Sequence, residues 1–188
     1  GRASIETSYP CRGGRSESVA SVSEADQRRT VPQADDGSTQ VRGTVSISID
    51  RVMMLSIHPR HVEKILNGTK SVELRRTKPV VLPGQPVAIY ATLPSGALVA
   101  TCRIGRILSD TPTAIWRSVG DFTGVSRVVF DDYFEGAKYA VALCLEAVTA
   151  LAGEISLQEL RDRDHHFHPP QTWHFLDHQR LGRMLGAH

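Results

Sequence analysis

Apolar residues recur with a structural period only from about Val45 onward. Met53-Met54-Leu55-Ser56-Ile57 reads as a short strand, and His58-Pro59 opens a helix, with Pro59 suited to the first helical position. Val62, Ile65 and Leu66 give that helix an apolar stripe at three-to-four spacing. Gly68 falls where a C-terminal cap belongs. From Lys70 the chain reads as a strand with side chains alternating between faces. Ser71, Glu73 and Arg75 share one face; Val72 and Leu74 share the other and are the better core candidates.

Further along, Pro83-Gly84 marks a turn. Val87 and Ile89 alternate with Ala88 and Tyr90 in a strand, Pro94-Ser95-Gly96 turns the chain, and Ala97 to Leu108 forms a long strand. Two short helices follow. One covers Thr113 to Val119 with Trp116; the other runs from Ser126 as N-cap to Glu135 and is stopped by Gly136. Tyr139 to Val148 is an apolar strand. Ser156-Leu157-Gln158-Glu159 fits a capping box for a helix to about Arg163. Pro169-Pro170 breaks the chain before a last strand, Thr172 to Leu176. About six strands with short helices between them predict a small α+β domain over 52–188, built on a mostly antiparallel, barrel-like sheet.

Residues 1–45 differ from all of this. They are rich in Ser, Arg, Gly, Asp and Gln and contain one aromatic, Tyr9. Such a composition cannot offset chain entropy, which predicts a disordered N-terminal extension. Met53-Met54 lies at the edge of the ordered pattern and suits a natural translation start, with the upstream part an extension. An arginine-bearing arm that helps to bind nucleic acid is the alternative.

Composition narrows the function classes. The chain has 188 residues, 40% of them hydrophobic, enough for one core. Its 22 Lys/Arg against 20 Asp/Glu give a net charge of +2, too weak by itself to argue for nucleic acid. No apolar run approaches 18 residues, so no membrane span is expected. Cys11, Cys102 and Cys144 are odd in number and widely spaced, fitting neither a disulfide framework nor a zinc motif. A reducing cytoplasm is the expected location.

Leu55-Ser56-Ile57-His58-Pro59 followed by Asn67-Gly68-Thr69-Lys70-Ser71-Val72-Glu73-Leu74-Arg75-Arg76 resembles the activating-signal-cointegrator homology (ASCH) domain. That family's hallmark, Gly-x-Lys-x-x-Glu-x-Arg, is met by Gly68, Lys70, Glu73 and Arg75. Ile89-Tyr90-Ala91-Thr92 with Leu98-Val99-Ala100-Thr101, and Phe167-His168-Pro169-Pro170-Gln171-Thr172-Trp173, look like further family segments in the right order. The resemblance implies a fold like the pseudouridine synthase and archaeosine transglycosylase (PUA) domain, a pseudo-barrel with a helix beside a cleft. It also implies action on RNA or modified nucleosides. Some members hydrolyse N4-acetylcytidine and others are reported as ribonucleases.

The leading expectation is therefore binding of RNA or a modified nucleotide, without a cofactor or metal, in a cleft lined by Lys70, Glu73, Arg75 and Tyr90. Lys70 and Arg75 would meet phosphate, Arg75 bidentately. Glu73 would accept from a base amino group or act as general base. Tyr90 could stack a base, with Thr92, Ser56 and His58 hydrogen-bonding nearby. His58 has a plainer reading as a helix N-terminal residue bonded to backbone. Arg76 and Lys78 extend the basic run as phosphate contacts or solvated charges. The enzyme alternative is a hydrolase acting on a nucleoside amide or an RNA phosphodiester through Lys70, Glu73 and Asp121. The family's amidohydrolases use Lys-x-x-Thr with a separate carboxylate; Glu73 replaces that threonine, and Asp121 falls roughly where the carboxylate lies. A regulatory protein-interaction module is the third reading. His165, His166, His168, His174 and His178 cluster in sequence, but their spacing completes no recognised metal pattern.

Overall fold

The structure, a computed structural model, describes residues 50–186. The expected disorder of residues 1–45 lies outside the described residues. Twelve elements follow in order: β1 (Arg51–Ile57), α1 (Pro59–Leu66), β2 (Val72–Arg75), β3 (Pro86–Ala91), β4 (Ala97–Asp110), α2 (Pro112–Val119), a 3-10 turn (Gly120–Phe122), α3 (Arg127–Tyr133), β5 (Ala140–Ser156), α4 (Leu157–Arg163), β6 (Trp173–Asp177) and α5 (His178–Leu185).

The strands form one sheet in the order β2-β5-β4-β3-β1-β6. β1 and β3 run parallel, with Leu55 opposite Ile89, and the remaining neighbours are antiparallel. The domain is thus α+β with a mostly antiparallel sheet, as expected. The barrel is open: β2 and β6 are its edges and do not pair with each other.

Alternation along the central strands builds two cores. Met53, Leu55 and Ile57 of β1 and Val87 and Ile89 of β3 face one cluster, which Val62 and Ile65 of α1 cover. Val52, Met54, Ala88 and Tyr90 face the other, closed by Leu160 of α4, Phe167, and Leu181 and Met184 of α5. A strand buried on both faces reads as a continuous apolar run, which explains Val52-Met53-Met54-Leu55.

Local chemistry sets most helix ends. The His58 Nδ1 accepts from Arg60 N at 3.3 Å, and Pro59 occupies the first position of α1. Gly68, at φ 79°, follows its last turn in the left-handed region. Ser126 caps α3, and Ser156 with Glu159 forms the full capping box of α4.

Three expectations are corrected. β2 starts at Val72 rather than Lys70, because the Lys70 and Ser71 amides bond to Lys64 O and Phe122 O instead of to a strand neighbour. β5 continues past Val148 to Ser156, since Thr149 and Ala150 still pair with Thr101 and Ala100 of β4. This extension passes an irregularity at Ala147, whose φ is 51°. Helix α5 went unanticipated; Asp177 caps it through Arg180 N at 2.6 Å, and Gly186 ends it at φ 75°.

Candidate nucleic-acid cleft

A cavity of about 250 Å³ opens between α1, β2 and α3, and Lys70, Glu73 and Arg75 line it together with Ser56 and His58. The residues taken as the polar face of β2 are therefore not on a solvated surface. Glu73 is 7% exposed and Lys70 3%, because α1 and α3 cover that face of the strand.

Burying three charges requires partners, and each has them. The Lys70 Nζ donates to Val72 O and Thr123 O, both at 2.8 Å, and lies 3.2 Å from Glu73 Oε2. Its three donors are thereby matched. Glu73 Oε1 lies 3.2 Å from Arg75 Nη2, which also donates to Ser56 O at 3.0 Å. The carboxylate thus bridges two cations, leaving the row with a surplus positive charge. Arg75 Nε is buried with no hydrogen-bond partner. Lys70 is held from behind by Gly124, at φ 67°, where an added Cβ would stand 2.9 Å from Lys70 Cβ.

Sequence reasoning missed several lining residues: Arg60 and His61 of α1, Val125 before α3, and Val129, Phe130 and Tyr133 on it. His61 follows His58 by three positions and Tyr133 follows Val129 by four, the spacings that put helical residues on one face. Burial and the charge of Lys70 hold the His61 imidazole below its usual range, so it is neutral at pH 7. Burial likewise pushes the Tyr133 phenol up, against a smaller opposing effect of Arg75.

Other expected site residues lie elsewhere. Tyr90 is 3% exposed and packs edge-on against Phe167 at 6.2 Å, on the opposite side of the sheet from α1. With Thr92 it lines a separate, largely apolar cavity that includes Leu93, Leu157, Pro169 and Pro170. The alternation of β3 forces this, since Ile89 and Tyr90 must face opposite ways. The Ser56 hydroxyl turns the same way as Tyr90 and donates to Pro170 O at 2.6 Å. Asp121 is exposed on the 3-10 turn and does not line the first cavity. Arg76 donates to Tyr133 O at 2.8 Å and Glu135 O at 3.1 Å, capping the end of α3. Lys78 is exposed.

Two other chemistries find no support among the described residues. No three His, Cys, Asp or Glu side chains converge as metal ligands. Burial pushes the Cys102 thiol up to about 12, leaving it protonated and unreactive. No described helix is long and apolar enough to cross a membrane.

Comparison with known proteins agrees with this architecture. An ASCH domain-containing ribonuclease from Zymomonas mobilis is 30% identical over 132 residues, spanning 70% of this chain and 88% of the relative. The crystal structure of ASCH from Zymomonas mobilis matches with a TM-score of 0.69 at 25% identity, covering 74% of this chain and 96% of that one. A serine-to-alanine variant of that protein matches with a TM-score of 0.68 at 26% identity, covering 74% and 98%. No family model matches the chain. The fold is that of a PUA-like α+β domain. Within that class, the chain belongs to the ASCH-domain family.

Proposed function

We propose that this chain binds RNA or a modified nucleotide in the cleft between α1, β2 and α3, and does so in the cytoplasm. The observation that carries the reading is the buried Lys70–Glu73–Arg75 row. Its surplus positive charge lies in a cavity, and the Arg75 guanidinium keeps its Nε–H without a protein partner. Such a group suits a phosphate or a base carbonyl. The 30%-identical relative is named a ribonuclease, so RNA is the ligand class with direct support from kinship. The small cavity and the net charge of +2 favour a short single strand over a long duplex.

Fluorescence anisotropy with labelled single-stranded RNA over a salt series tests this. Arg75→Ala lowers affinity and flattens the salt dependence by about one phosphate contact, while a thermal melt confirms folding. Unchanged affinity and slope in a folded variant would sink the reading.

A second reading, RNA phosphodiester hydrolysis, is favoured by the relative's name and by a neutral His61 in the cavity, the form of imidazole that can accept a proton. Amide hydrolysis has less support. The Lys70 ammonium would have to leave three partners to act as nucleophile, and Asp121 lies outside the cavity. Incubating purified protein with RNA and with N4-acetylcytidine decides between them, and absence of turnover of both removes hydrolysis altogether.

A further inference from the structure

We infer that Tyr133 is the residue that stacks the nucleobase of a ligand bound in this cleft. The inference rests on the RNA-binding reading above and adds the residue that stacks the base.

Tyr133 ends α3 at the cavity wall and is 41% exposed although its neighbours Phe130 and Phe134 are buried. Its ring is held edge-on against Phe134 with centroids 4.7 Å apart, and Arg76 holds its backbone carbonyl at 2.8 Å. A large aromatic that is fixed in place yet exposed beside a cavity is prepared to cover a planar ligand at little entropic cost. Val129, 46% exposed and one turn earlier, extends the same apolar wall.

The opposite wall is α1. His58 and His61 line it with ring centroids 6.4 Å apart. The floor is Glu73 and Arg75. A base entering between the helices meets a phenol ring on one side, imidazoles on the other and charge-assisted donors at its edge. That is the arrangement by which single-stranded RNA is read, with bases stacked on aromatics and bonded at their edges. Tyr90, the aromatic that the sequence nominates for stacking, is covered by Phe167 and lies on the other face.

Anisotropy with a fluorescein-labelled single-stranded RNA hexamer tests the inference. Tyr133→Ala weakens binding by about 5- to 150-fold, the effect of losing one base–aromatic stack. Tyr133→Phe, which keeps the ring, restores most of the affinity. Circular dichroism melts verify that both variants fold. Full affinity in Tyr133→Ala, alongside a loss in Arg75→Ala, overturns the stacking role and leaves the cleft assignment standing. Failure of the unaltered protein to bind any RNA overturns both.

Discussion

The cavity over β2 and the cavity beside Tyr90 lie against the same sheet, yet different physics maintains them. The Tyr90 side is apolar packing: Tyr90, Phe167, Leu98 and Met54 are each at most 3% exposed, and their burial stabilises the fold directly. The β2 side buries Lys70 and Glu73 with a largely covered Arg75. Removing such charges from water costs roughly what their pairing returns, so an ion network of this kind is weak evidence for stability. The apolar cavity is explained by folding alone. The charged one needs a further reason, and the proposed ligand would supply it.

The largest effect that can break this contrast is Glu73→Ala. It leaves Lys70 and Arg75 facing each other without their shared carboxylate, and a loss of about 3 to 5 kcal/mol is expected from urea denaturation. A loss under about 1 kcal/mol would show that the network behaves like a solvated surface pair. Next comes Tyr90→Ala, expected to cost roughly 3 kcal/mol by emptying a packed aromatic site. Its RNA affinity, measured where the protein is folded, stays at the starting value. Weakened RNA binding there would make the second cavity part of the site.

Gly124→Ala is expected to cost about 1 to 3 kcal/mol, read as a lower Tm. The residue adopts φ 67°, and the new methyl would press on Lys70 Cβ, so RNA binding weakens with it. The smallest effect is on pH. Burial lowers the folded-state pKa of both His61 and His174. The unfolded chain then takes up protons first, so this stability is fully present above the ordinary histidine value near 6.5 and declines as pH falls below it. Thermal melts from pH 7.5 to 5.5 should show that decline, and His61→Gln should make it shallower. A Tm independent of pH over that range would place both imidazoles in water.

Much of the fold is legible in the sequence because it is set by contacts within a few residues. Pro59, Gly68, Ser126 and the Ser156–Glu159 box mark helix ends through bonds to the adjacent backbone. Apolar alternation places β1 and β3. Helix α5 was legible as well: Leu181, Met184 and Leu185 repeat the three-to-four spacing of α1, and Asp177 and Gly186 mark its ends, yet the expected elements stop at Leu176. The second half of β5 escaped because its residues from Glu146 to Glu154 are mostly exposed and carry no alternation; backbone pairing with β4 makes them a strand.

The candidate site divides the same way. The types and spacing of Lys70, Glu73 and Arg75 belong to the sequence, and so does their placement beside the helix that Gly68 ends. Which side chains join them is a tertiary matter. Helix α3, some 55 residues further on, closes over β2 and brings Val129 and Tyr133 to the cavity. The pleat of β3 carries Tyr90 to the opposite core, and the end of α3 engages Arg76. Local pattern determined that a charged strand would exist here. Only the packing of two helices across it decided that the strand would be buried, since a strand's two faces are equivalent until something covers one of them.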